Sequence, residues 1–142
     1  MKVIDLNVLL YAVNRDSPHH AAAKNWLERT LNDGEPVALS WPVLLGFLRL
    51  TTSARIFARP LTIEEALSIV DGWLEFPSVI LLNPGEDHWH VLRSLLVEAG
   101  TGGNLTTDAH LAAIAIENGA ELCSTDTDFA RFHKLRWTHP FR

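Results

Sequence analysis

The chain has 142 residues, 47% hydrophobic and 20% charged, with 17 Asp and Glu against 12 Lys and Arg for a formal net charge of −5. That length supports one domain, residues 1–142, around a single core. No apolar run approaches the roughly 20 residues of a membrane span, and the acidic balance excludes a broad basic field for nucleic acid.

The N-terminal run MKVIDLNVLLYAV is broken by Asp5 and Asn7 and lacks a small-residue cleavage site, which argues against a signal peptide. The single cysteine, Cys123, excludes an internal disulfide and fits a reducing compartment, so a cytoplasmic location is expected. Lys2 to Ile4 reads as a first strand and Leu6 to Val13 as a helix. Ser17 and Pro18 read as N-cap and first position of the next helix, which Gly34 ends. Val37 to Leu39 is a second strand, and a helix follows from Pro42 to Leu50. Thr62 caps another, because Glu65 three residues on has the capping-box spacing; Pro77 breaks it. Val79 to Leu82 is a third strand, Glu86 to Ala99 a helix ended by Gly100, and Thr107 to Asn118 a helix closed by Gly119. Ala120 to Cys123 is a fourth strand, and Leu135 to Trp137 a short fifth at an edge. This alternation predicts an α/β fold, a mostly parallel central sheet of four to five strands covered on both faces.

Four carboxylates fall at comparable places in that pattern. Asp5 ends the first strand, Asp126 and Asp128 follow the fourth, and Asp108 lies in the first turn of the helix that feeds the fourth strand. Ligands of open α/β sheets bind at the carboxyl ends of strands. Each acid also has a plainer reading: Asp108 as a helix-start residue favoured by the dipole, Asp126 and Asp128 as turn formers in ELCSTDTDF. Asp5 is the hardest to dismiss, since a carboxylate within an apolar stretch is costly without a partner. Acids gathered at one edge repel unless a cation lies between them, and oxygen ligands suit Mg²⁺ or Mn²⁺.

IDLNVLLYAV, GNLTTDAHLAAIAIENG and LCSTDTDFARF, in this order and spacing, resemble PIN-domain ribonucleases, most nearly the VapC toxins of toxin–antitoxin pairs. The resemblance covers nearly the whole chain. It implies a three-layer α/β/α sandwich and RNA hydrolysis assisted by Mg²⁺ or Mn²⁺. Asp5, Asp108 and Asp126 would be the metal ligands, and Asp128 a further catalytic acid. Asn7, Thr107 and Thr125 would orient those carboxylates or a water. The resemblance also implies an RNA substrate, a VapB-like antitoxin partner and a homodimer. The chain departs from the family in one respect. A Glu is usual in the helix after the second strand, yet residues 40–52 contain no acid. Leu44, Leu45 or Gly46 stands where it would be sought. The alternative is therefore a PIN-like scaffold with weakened catalysis that binds RNA or the antitoxin. A phosphohydrolase of the haloacid-dehalogenase type fits less well, because it would want an Asp where Asn7 stands.

Arg49, Arg55 and Arg59, interleaved with Phe57, are candidates for holding the RNA backbone. His19 and His20, like His88 and His90, do not share a helix face and read poorly as metal pairs. His110, two residues past Asp108, has no assigned role. Cys123 reads as a small buried strand residue.

Overall fold

The computed structural model describes residues 1–142. Short apolar segments, three or four residues each, form the strands β1 (Lys2–Ile4), β2 (Val37–Ser40), β3 (Val79–Leu82), β4 (Glu121–Cys123) and β5 (Arg136–Thr138). Between them lie the helices α1 (Leu6–Val13), α2 (His20–Asn32), α3 (Trp41–Thr51), α4 (Ile63–Leu74), α5 (His88–Ala99) and α6 (Leu105–Glu117), and a 3-10 turn spans Thr127–Arg131.

The five strands pair in the order β3-β2-β1-β4-β5, every pair parallel. Right-handed crossovers put α1 to α4 on one face, because the chain moves from β1 through β2 to β3 in one direction. The return from β3 to β4 reverses that direction and puts α5 and α6 on the other face. The contacts agree: α1 packs on α2 and α3, α3 on α4, and α5 on α6. The result is the three-layer α/β/α sandwich, with β1 at its centre and the direction of winding changing between β1 and β4.

Burial follows from position. Val3 and Ile4 of β1 and Val37, Ala38 and Leu39 of β2 are fully enclosed, whereas the strands at the two edges are not. The α6 helix buries Ala109, Leu111, Ala112, Ala113, Ile114 and Ala115; small side chains let it lie close to the sheet. Phe47 of α3 meets Trp73 of α4 edge-on at 4.8 Å.

The capping box forms as its spacing predicts: Thr62 Oγ1 accepts from the Glu65 amide at 3.1 Å, and Glu65 Oε1 accepts from the Thr62 amide at 3.0 Å. Gly100 ends α5 in the left-handed conformation at φ 72°. Other boundaries move. The second helix begins at His20, not at Pro18, because Ser17 closes a turn, its hydroxyl accepting from the His19 amide and its carbonyl from the His20 amide. The sixth begins at Leu105, because the Gly102 and Gly103 carbonyls accept from the Leu105 and Thr106 amides two residues ahead of the expected start. The fifth begins at His88, whose amide donates to Gly85.

Candidate metal centre

Reversal of winding leaves a crevice at the carboxyl ends of β1 and β4. Asp5 follows β1 directly and caps α1. One of its oxygens accepts from the Leu6 amide at 2.7 Å; the other accepts from Ser124 Oγ at 2.7 Å and Asn7 Nδ2 at 3.2 Å. Asn7 Oδ1 in turn accepts from the Thr125 amide at 3.3 Å, and Ser124 Oγ from the Asp126 amide at 3.0 Å. Two segments more than a hundred residues apart in the chain are thus laced together around one carboxylate. Burial pushes the Asp5 carboxyl above its ordinary value and Asp126 adds to that, while the bonds from Ser124 and Leu6 work the other way.

Asp126 combines both roles open to it in the sequence. Its Oδ1 accepts from the Asp128 amide at 2.9 Å, capping the 3-10 turn, and it still faces the other acids. Asp108, Asp126 and Asp128 each present an oxygen within 4.8 Å of the others. Asp108 reaches this place from the first turn of α6. Burial first, then the charges of Asp126, Asp5 and Asp128, push its carboxyl up from 3.8 to about 6. The tight trio is Asp108, Asp126 and Asp128; Asp5, expected as a ligand with Asp108 and Asp126, is near enough to raise Asp108 ahead of Asp128. Asp5 lies beside the trio with its oxygens already hydrogen-bonded. Three converging carboxylates, one of them with its pKa raised by burial and by its acidic neighbours, fit a hard divalent cation by donor type and by charge.

A cleft of about 150 Å³ adjoins the acids, lined by Asp5, Leu6, Pro42, Val43, Thr107, Asp108, His110 and Leu111. Thr107 is thus at the site, and Thr125 joins it through its backbone amide. From α3 only Pro42 and Val43 line the cleft. Leu44 lies in the core, and Leu45 is 59% exposed. Gly46 is four residues on from Pro42 and three from Val43 and so shares their helix face. A Cβ there would lie 2.6 Å from Leu6 Cδ2. Of the three places proposed for a missing acid, only Gly46 is turned toward the cleft, and Leu6 fills the space before it.

Arg59 pairs with Asp16 at 2.6 Å, both side chains exposed. Asp16 lies beyond the far end of α1, about 12 Å of helix from the Asp5 end. Arg49 and Arg55 are exposed, and Phe57 is buried, so it offers no ring to a base. His20 bonds the Tyr11 carbonyl rather than pairing with His19. Cys123 is buried, with its thiol pushed up to about 12 mainly by burial, and is inert.

One constellation escaped the sequence reading. His88 Nδ1 lies 2.6 Å from Glu117 Oε2, and His88 Nε2 lies 2.9 Å from His110 Nδ1. His110 and Glu117 are seven residues apart on one face of α6, which is the only trace the sequence holds; His88 arrives from another helix. Burial and the neighbouring His88 push the His110 ring below its ordinary value, against the pull of Glu117.

The PIN domain model matches residues 2–135. The chain is 46% identical to Ribonuclease VapC37 of Mycobacterium tuberculosis over 99% of its own length and 97% of that protein. It is 45% identical to VapC ribonuclease Mb2897 of Mycobacterium bovis over 99% of its own length and 95% of that protein. Among solved structures it resembles VapBC-1 from nontypeable Haemophilus influenzae, with a TM-score of 0.71 at 17% identity, covering 99% of this chain and 98% of that one. It also resembles VapBC2 from Rickettsia felis bound to a DNA fragment from their promoter, with a TM-score of 0.69 at 21% identity, covering 96% of each chain.

Proposed function

The chain belongs to the PIN-domain family, and on that premise we propose that it is the ribonuclease toxin of a toxin–antitoxin pair, hydrolysing RNA phosphodiester bonds. The observation that carries this reading is the convergence of Asp108, Asp126 and Asp128, with Asp5 beside them, at the one crevice of the sheet. Relatives matched over nearly their full length bear the name ribonuclease.

The acids are the metal-holding residues: Asp108, Asp126 and Asp128, with Asp5 joining if it exchanges its bond from Ser124 for the ion. A bound Mg²⁺ or Mn²⁺ would lower the pKa of an attacking water and would supply positive charge to the phosphate oxygens. The chain's part is to hold its oxygens in place beforehand. Ser124 and Asn7 fix Asp5, the 3-10 turn fixes Asp126, and the sheet and α6 bring Asp108 across. The Thr125 amide ties the β4 end of that frame to Asn7, and Thr107 lines the cleft, where it would orient a water. Arg49 and Arg55, both exposed, would meet RNA phosphates as point contacts at the surface; Arg59 would first have to leave Asp16.

A protein partner is supported by apolar side chains left in water on α3 and α4: Trp41 and Leu45, then Ile63 and Leu67. Such a set marks a face for another protein, and we assign it to a VapB-like antitoxin or the second protomer of a homodimer. No helix is long and apolar enough to cross a membrane, and the reduced Cys123 is consistent with the cytoplasm. The second reading, a scaffold that binds RNA or antitoxin with little cleavage, rests on the acid-free wall of α3. RNA cleavage with Mg²⁺, with Mn²⁺ and with EDTA separates the two. Cleavage that needs the ion and is lost in Asp108→Asn supports the nuclease; binding of RNA without ion-dependent cleavage overturns it.

A further inference from the structure

We infer that Arg131 holds a phosphate of the RNA backbone beside the ion site of Asp108, Asp126 and Asp128, which makes it a substrate-binding residue of the nuclease. The inference deepens the nuclease reading and rests on it.

The 3-10 turn decides where Arg131 stands. Three residues complete one turn of such a helix, so side chains three apart eclipse each other. The segment Thr127–Arg131 obeys this rule. Phe129 and Phe132 are both buried, with ring centroids 6.3 Å apart, and the Phe132 amide donates to the Phe129 carbonyl at 3.1 Å. Thr127 and Ala130 share a second face, which is exposed. Asp128 and Arg131 share the third, both exposed and about 6 Å apart along the axis. Asp128 belongs to the acid trio, so Arg131 rises from the face that presents an acid to the ion. The turn is fixed on either side of that face, by Asp126 Oδ1 accepting from the Asp128 amide and by the two phenylalanines beneath.

The guanidinium is also free. Arg59 is paired with Asp16 and Arg136 donates to the Gly119 carbonyl, whereas the ion pairs of the chain leave Arg131 out. Glu98 is bonded by the ring and the amide of His133, at 3.0 and 3.4 Å. Charge gives the free cation a task. Three carboxylates outweigh one divalent ion, and Asp5 adds to the excess, so the loaded site is still negative toward a phosphate. Arginine stays charged and meets a phosphate through two parallel N–H bonds.

The test measures binding of a labelled single-stranded RNA in the presence of Mn²⁺. Asp108→Asn protein keeps the RNA intact, and Arg131 is either kept or changed in it. Arg131→Ala should weaken binding by about tenfold. The slope of log affinity against log salt should become shallower by about 0.7, the share of one phosphate on a single strand. Arg131→Lys should restore the slope but only part of the affinity, because the charge returns without the fork. A methylphosphonate removes the charge of one linkage. Placed in turn at the linkages around the wild-type cut, it should abolish the difference between Arg131 and Ala at one of them, which names the phosphate held. Thermal unfolding should leave Arg131→Ala at the melting temperature of its parent, since the side chain is exposed. In the otherwise wild-type chain, Arg131→Ala should hold Mn²⁺ affinity within about twofold, since arginine supplies no oxygen ligand. RNA that binds with one affinity and one slope whether or not Arg131 is present overturns the contact, as does a penalty that persists at every linkage. A fall in Mn²⁺ affinity overturns it too, by making Arg131 a brace for Asp128. Wild-type protein that cuts no RNA with Mn²⁺ would instead overturn the nuclease reading on which the contact rests.

Discussion

The cleft has two unlike walls. One is built from the ends of β1 and β4 and the start of α6, and it concentrates four carboxylates within reach of each other. The other is built from α3 and Leu6, and it offers Pro42, Val43 and a glycine. On the first wall the structure has to restrain charge, with Ser124, Asn7 and two capping amides spent on Asp5 and Asp126. On the second, only shape is set. The contrast teaches that ion binding and ion accommodation are controlled from different elements, so that substitutions on the two walls should be separable in their effects.

The largest expected effect comes from the charged wall. Asp108→Asn should reduce ion-dependent RNA cleavage by about 10²–10³-fold, and it should raise the melting temperature of the metal-free protein by relieving repulsion. A variant that loses activity and stability together would mean that Asp108 is merely structural.

The opposite wall is probed by placing Glu at each of three neighbouring positions. Leu44→Glu buries a charge in the core and should cost about 3 kcal/mol, whereas Leu45→Glu, at an exposed position, should change stability by no more than about 0.5 kcal/mol. Gly46→Glu meets Leu6. In combination with Leu6→Ala it should regain stability and bind Mn²⁺ more tightly in calorimetry. If the double variant binds Mn²⁺ no better than wild type, α3 does not face the ion.

Ser124→Ala tests the frame rather than the acids. It removes the 2.7 Å bond to Asp5 and should cost about 1–2 kcal/mol in denaturant unfolding, with Asp5 driven further up. The pH dependence distinguishes the walls without mutation. Because folding raises the Asp108 carboxyl from 3.8 to about 6, the folded chain holds that proton more tightly than the unfolded one. The stabilisation is complete below 3.8 and is lost as pH rises through about 6; Asp5, also raised, has the same sign. Saturating Mg²⁺ should flatten this slope in thermal scans. Glu35, bonded by Lys2 and the N-terminal amine and lowered to about 2, has the opposite sign: its contribution holds above 4.5 and fades toward about 2. The smallest effect is expected from Arg59→Ala, which breaks an exposed pair and should leave Mn²⁺ affinity unchanged.

What could be read in the sequence was what local physics decides. The apolar segments, Thr62 with Glu65 and Gly100 settle their elements within a few residues of chain, and α1 and β3 fall where the pattern put them. The start of α2 was displaced because a serine can close a turn as readily as cap a helix, and only the Asn14 to His20 bonds choose between them. The acids were legible because each ends a strand or opens a helix. Their grouping was not. Asp5 is held by Ser124, which donates to it from beyond the end of β4 and has no local signature. The constellation around His88 was hidden for the same reason, since both of its contacts join α5 to α6. Phe57 between arginines looked available to RNA, but burial belongs to the tertiary fold.

The central position of β1 has a consequence for synthesis. Lys2 faces Val37 on one side and Glu121 on the other. A nascent chain can close the first pairing early, but the second waits until Glu121 has been made. Closing so long a loop costs little more free energy than closing a short one, since each doubling adds only about 0.6 kcal/mol; the delay is one of order, not of stability. Until β4 emerges from the ribosome, Asp5 lacks Ser124, β1 has a bare edge, and Asp126 is absent. The three segments that bear the acids therefore meet only once β4 and the turn after it have been made, and a chain cut short before Glu121 has the residues that line the cleft but neither Ser124 nor Asp126 to complete the frame.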